Sequence, residues 1–164
     1  MLLSESLAES EIAGYASFVA VKSVARTTWH LFGTSVVGID LGKSADAPID
    51  YQHYDGAQFP ATDNSFDVVL LCYVLHHARD VRVVLQDMRR VLRRGGLAVI
   101  YEDIPQGAWD RFICWFHDRQ WRKRTGPCTF RGHSEWHALF NSSGFEIAAE
   151  RQLSRSPDTH LLSP

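Results

Sequence analysis

What this 164-residue chain has little of narrows it before anything else. It has only three cysteines, Cys72, Cys114 and Cys128, an odd number set far apart, so no disulfide framework is expected and a reducing, cytoplasmic setting is the default reading. It has no uninterrupted apolar stretch of roughly 18 residues, so no membrane span is expected. It has no basic excess: 17 Lys and Arg stand against 19 Asp and Glu, for a formal net charge of −2, which argues against a dedicated nucleic-acid partner. The first residues, MLLSESLAESE, are acidic and lack a basic n-region, unlike a secretory signal. The absence of a glycine-rich phosphate loop counts against a phosphate-gripping nucleotide binder. There is no internal repeat and no low-complexity segment.

What remains is a chain that is 45% hydrophobic and 22% charged, enough for the core of one globular domain. Its clearest stretch is Asn64 to Asp103, NSFDVVLLCYVLHHARDVRVVLQDMRRVLRRGGLAVIYED. Phe66 to Leu71 is an apolar, β-branched run that suits a strand covered on both faces. Asp80 can cap a helix whose apolar positions, Val81, Val84, Leu85, Met88, Val91 and Leu92, recur at helical spacing. Arg89, Arg90, Arg93 and Arg94 crowd its last turns, where cations suit the helix dipole, and Gly95 and Gly96 stop it. Leu97 to Tyr101 is a second strand. Strand, helix and strand make a βαβ unit and predict a parallel sheet.

The flanks add less regular signals. Ser4 to Ile12 reads as a helix, and Tyr15 to Ala25 as either strand or helix, so residues 1–35 are expected to be an irregular or helical N-terminal segment ahead of an α/β domain over 36–164. Val36 to Asp40, VVGID, is an apolar run ending in an acid, and Ile49 to Asp55, IDYQHYD, is a third strand ending likewise. In open parallel sheets ligands lie beyond the carboxyl ends of strands, so both acids are well placed to meet one. Trp109 to Lys123 is an aromatic-rich helix candidate, Ser134 to Phe140 another, and Phe145 to Leu153 a last strand; the tail SRSPDTHLLSP reads as loop.

The pieces VVGID, YDGAQFPATDNSFDVVLLCYVLHH, LQDMRRVLRRGGLAVIYED and SEWHALFNSSGFEI, in that order, resemble the later two-thirds of a class I S-adenosylmethionine-dependent methyltransferase of the ubiquinone/menaquinone-biosynthesis-like group. The resemblance implies a Rossmann-like, doubly wound, mainly parallel sheet. It implies S-adenosylmethionine as cofactor and a small-molecule methyl acceptor. Asp40 would accept both ribose hydroxyls, as a carboxylate's two oxygens can. Asp55, with Gly56 and Ala57, would meet the adenine, and Leu71, Cys72 and Tyr73 would line the donor side. His76 and His77 would open onto the acceptor, with His77 or Asp103 as proton acceptor. Residues 109–140 would form part of the substrate wall. The chain departs from the family in two places. Only Gly14 and Gly33 precede Val36 where an acid-x-Gly-x-Gly-x-Gly run belongs, so residues 15–25 either fill the first-strand position or leave a gap. The family's seventh strand is not expected, which would leave an exposed sheet edge and invite self-association. A non-catalytic, methyltransferase-like interaction module is therefore the alternative function.

Plainer roles compete at each position. An acid after a strand is often a turn former, and a histidine after a strand often packs and hydrogen-bonds. Cys114, His117, Cys128, His133 and His137 are zinc-type ligands, but their spacing fits no compact zinc module, and no metal is expected. The run RQWRKR, Arg119 to Arg124, reads as a solvated helix end, and Trp109, Phe112, Trp115, Phe116 and Trp136 as packing.

Overall fold

The computed structural model describes residues 17–22, 35–40, 50–54, 58–152 and 158–163, with side chains for 37–39, 52–54, 58–123 and 126–152. The helix expected at Ser4 to Ile12, Gly14, Gly33 and the Asp55–Gly56–Ala57 turn lie outside these residues. Seven strands form one sheet: β1 (Ser17–Lys22), β2 (Ser35–Asp40), β3 (Asp50–His53), β4 (Phe66–Cys72), β5 (Leu92–Asp103), β6 (Ala149–Gln152) and β7 (Asp158–Ser163). Their order across the sheet is β3-β2-β1-β4-β5-β7-β6. The helices are α1 (Val81–Val91), α2 (Ala108–Thr125) and α3 (His133–Ser142).

The β4–α1–β5 unit forms as its pattern predicts. Asp80 caps α1 by accepting the Arg82 N–H at 2.9 Å. Val81, Val84, Leu85, Met88 and Val91 form the buried face of that helix, each burial contributing about 1.5–3 kcal/mol. They pack with Val69, Leu71 and Ile100 of the sheet and with Trp136 and Phe140 of α3, whose rings stack at 5.7 Å. β4 and β5 run parallel, with Val69 opposite Ala98 and Leu71 opposite Ile100.

Four expectations need correcting. First, α1 ends earlier than its arginines suggest. Leu92 is already extended (φ −71°, ψ 138°), so Arg93 and Arg94 lie in β5, and only Arg89 and Arg90 occupy the last turn. Gly95 and Gly96 serve an irregular stretch where the register shifts between Phe66 and Val68. Gly95 takes φ +75°, and a Cβ on Gly96 would stand 2.9 Å from the Arg93 carbonyl oxygen and 3.0 Å from that of Asp67.

Second, the N-terminal segment is not wholly irregular or helical. Ser17–Lys22 fills the sheet position between β2 and β4 and runs antiparallel to both, with Phe18 opposite Ile39 and Leu71. A central strand need not alternate polar and apolar residues, which is why this run was ambiguous.

Third, the tail holds a strand. β7 lies between β5 and β6 and is antiparallel to both, with Leu162 opposite Val99 and Ala149. The gap that motivated self-association is thereby closed.

Fourth, the aromatic stripe of α2 does not pack as a unit. Trp109, Phe112, Trp115 and Phe116 are exposed, the first three forming a ladder with ring centroids 5.6 and 5.9 Å apart. Cys114 and Asp118 are the buried residues of that helix, and only Trp136 of the five aromatics joins the core.

Candidate functional site

Four of the seven predicted cofactor residues, Asp40, Leu71, Cys72 and Tyr73, lie at one end of the sheet. β2 and β4 are both antiparallel to β1, so they share a direction, and Asp40 and Cys72 end side by side on either flank of it. Ser17 stands opposite Cys72, so the chain enters β1 at this end and leaves it at the other. Asp40 pairs with His53 of β3 through the backbone, and Asp55, Gly56 and Ala57 fall outside the described residues. Leu71 is fully buried in the hydrophobic core, so its side chain is committed to packing. Cys72 is buried, and that burial pushes its thiol up to about 12. Tyr73 takes a left-handed φ of 54° and donates its N–H to the Tyr101 carbonyl at 2.9 Å. This turns the chain sharply out of β4 into a single 3-10 turn, Leu75–His77.

That turn is anchored by Glu102. The Glu102 carboxylate is fully buried and accepts two N–H groups, from the Leu75 backbone at 2.6 Å and from His76 Nδ1 at 2.7 Å. The bond fixes the His76 ring with its Nε2 facing the other way, and that buried nitrogen has no hydrogen-bond partner among the described residues. Phe130 stacks on the same ring at 4.7 Å and 20°.

The loop after α2 is hooked onto this turn. Thr129 donates its N–H to the His76 carbonyl at 2.7 Å, and Cys128 donates its N–H to Asp118 Oδ1 at 2.7 Å. Arg122 also donates to Asp118 and holds its carboxyl below the usual range. The result places Cys128 Sγ 3.3 Å from His77 Nδ1 and sets the His117 ring 5.4 Å from His76 and 5.6 Å from His77. His117 Nε2 is likewise buried without a partner among the described residues. Burial, reinforced by the neighbouring histidines, pushes His77 down to about 4 and lowers His117, so both rings are neutral near pH 7.

Beside this cluster a cleft of about 420 Å³ is lined by Pro105, Arg111, Cys114, Trp115, Cys128 and Phe130, among others. Asp103, the last residue of β5, is half-buried and close enough to Cys114 to help burial push that thiol up to about 12. A second depression, about 460 Å³, is lined by Asn64, Arg89 and Arg90 and sits at the amino end of β4, away from Asp40.

Of the sequence candidates, His77 and Asp103 thus lie near the same cleft, and His117 and Cys128 meet as zinc-type ligands can. Cys114 stays outside the cluster, while His133 and His137 both pair with Glu150. The paired role of His76 and Glu102 went unassigned. Its one sequence signal was an acid at the carboxyl end of the strand beside the histidine turn.

Residues 21–100 match the methyltransferase domain family. A human protein named thiol S-methyltransferase TMT1B is 35% identical over 92 residues, covering 55% of this chain and 37% of that protein. A demethylmenaquinone methyltransferase of Staphylococcus aureus is 33% identical over 84 residues, covering 51% of this chain and 35% of its own length. The chain therefore spans well under half the length of these relatives. Among solved structures, the PH0226 protein of Pyrococcus horikoshii superposes with a TM-score of 0.61 at 16% identity, covering 80% of this chain and 71% of that one. A Mesorhizobium loti S-adenosylmethionine-dependent methyltransferase gives a TM-score of 0.59 at 16% identity, covering 77% and 78%. At such identities these two speak for the fold alone. The sequence match over residues 21–100 and the strand order of the sheet agree: over that stretch the chain is similar to the methyltransferase domain family, and its fold is that of the solved methyltransferases.

Proposed function

We propose that the chain binds S-adenosylmethionine beyond the carboxyl ends of β2, β3 and β4 and directs its methyl group to a small-molecule acceptor held in the cleft beside α2. The observation that carries this reading is the convergence of Asp40 and the Cys72–His77 turn at one end of the sheet, on either side of β1. The adenosine half of the cofactor fits that end, because a carboxylate there matches a vicinal diol. The methionine half meets a different arrangement from a loop following the first strand. β1 enters at this end and leaves at the other.

When bound, the cofactor supplies an electrophilic methyl group; the protein supplies alignment and dryness. Cys72, held as a neutral thiol by burial, does not compete with the acceptor for the methyl. His77, lowered to about 4, is as weak a base near neutral pH as an ordinary carboxylate, so the acceptor's proton is better left to solvent than to either His77 or Asp103. Reaction at an oxygen, nitrogen, sulfur or carbon acceptor is compatible with this division of labour.

The test is calorimetric titration with S-adenosylhomocysteine, backed by thermal shift, since a ligand of the native state raises the midpoint by mass action. Saturable binding that Asp40→Ala weakens by ~1–3 kcal/mol supports the proposal. Absence of heat and of any shift at millimolar ligand refutes it. That outcome would favour a second reading, a non-catalytic interaction module, which draws its support from the reversed direction of β1.

A further inference from the structure

We propose that His76, His77, His117 and Cys128 form a four-coordinate zinc site that fastens α2 and the loop after it to the turn following β4. The ligand atoms these residues offer all lie within 4.8 Å of one another. One pair, Cys128 Sγ and His77 Nδ1 at 3.3 Å, is already close to the edge of a zinc tetrahedron, roughly 3.5 Å between sulfur and nitrogen ligands.

Four features point to a cation at the centre. The Nε2 atoms of His76 and His117 are buried and lack any hydrogen-bond partner among the described residues. A buried polar nitrogen left bare is costly, and two of them in one cluster with a thiol is an arrangement that a metal resolves. Glu102 supplies the outer support that metal-bound imidazoles typically have: its carboxylate takes the Nδ1 proton of His76 and leaves the Nε2 lone pair for the metal. The charges also close. One thiolate and the buried Glu102 carboxylate together neutralise a dication, leaving no net charge in the interior. Finally, the position of Cys128 is set by two backbone bonds, Cys128 N–H to Asp118 and Thr129 N–H to the His76 carbonyl, which aim the thiol at the histidines.

Four protein ligands make a closed site, so its role is structural and leaves no open position for substrate. The ligands come from three separate stretches of chain, so no compact spacing announces them. The other candidate set, His133, His137 and Glu150, differs: it is more exposed, and the carboxylate already satisfies both rings.

The experiment strips the purified chain with chelator, reconstitutes it with zinc chloride, removes excess metal by desalting and measures zinc by mass spectrometry. About one tightly held zinc per chain is expected. Cobalt(II) substitution should give tetrahedral d–d bands and a thiolate charge-transfer band, the latter lost in Cys128→Ser. His117→Ala should weaken zinc at least ~10-fold, and Glu102→Gln by ~10–100-fold, in competition with a chromophoric chelator. His137→Ala should leave stoichiometry and affinity unchanged. A reconstituted parent that retains no zinc overturns the proposal, as does an unchanged cobalt spectrum in Cys128→Ser or loss of zinc in His137→Ala. The parent measurements stand even if a variant fails to fold. The readout is independent of S-adenosylhomocysteine binding, so either proposal can fail without the other.

Discussion

Replacing Glu102 tests the anchoring of the acceptor-side turn more sharply than any other single change. Glu102→Ala removes the acceptor from two buried N–H groups, those of Leu75 and His76, which sit 2.6 and 2.7 Å from its oxygens. Each orphaned donor costs about 1–3 kcal/mol, and the vacated volume adds a cavity term. Against this stands relief from keeping a carboxylate in the interior. The net loss expected in the metal-free protein is about 2–5 kcal/mol, a large part of the ~5–15 kcal/mol that holds a domain together. Glu102→Gln discriminates further. Its amide oxygen can still accept the Leu75 N–H, but its amide nitrogen then faces His76 Nδ1 as a second donor. The imidazole must move its proton to Nε2 or lose the bond, so a loss of about 1–3 kcal/mol is expected. Urea unfolding followed by circular dichroism gives both values, and nitrogen-edited NMR of the imidazole reads the tautomer. If both variants unfold within ~0.5 kcal/mol of the parent, or if His76 in the glutamine variant keeps its proton on Nδ1, the reasoning is wrong.

Two further outcomes follow from local geometry. Gly144→Ala should destabilise the chain by about 1–2 kcal/mol in the same assay, because Gly144 holds φ +81° and a Cβ would stand 2.1 Å from Arg89 Nη1; an unchanged midpoint would refute this. In native metal-free protein near pH 8, Cys72 and Cys114 should react with a disulfide reagent far more slowly than Cys128, since thiols raised to about 12 are ionised only to about one part in ten thousand there; equal rates for all three would refute it.

The central unit was legible because its signals are local and agree with one another. Asp80, the apolar stripe from Val81 to Val91 and the β-branched run of β4 each specify one structure without reference to the rest of the chain. The helix end was misplaced because the arginines and glycines that suit a C-cap also suit an irregular strand start. β7 was missed because its few residues, between Pro157 and Pro164 in sequence, carry no alternation and gain their meaning only from β5 and β6. The aromatic ladder of α2 misled because a stripe of rings normally signals packing, whereas here the inward face carries Cys114, His117 and Asp118. The site was half legible. The acid ending β2 and the histidine pair could be read from their place after strands. The meeting of His76 with Glu102, His117 and Cys128 could not, because it depends on one backbone bond, Thr129 to His76, that joins distant stretches.

The direction of β1 also has a kinetic consequence. Parallel neighbours need a long crossover before a single pairing bond can form, whereas antiparallel neighbours can zip from a turn. Only residues 23–34 separate β1 from β2, so the two can close as a local hairpin at small entropic cost, and β3 then adds to its outer side. The contacts that must wait for distant chain are those between β1 and β4 and those between β5 and β7. The reversed strand thereby gives the amino-terminal half a local start and leaves the two long-range pairings, β1–β4 and β5–β7, as the steps that carry the high contact order.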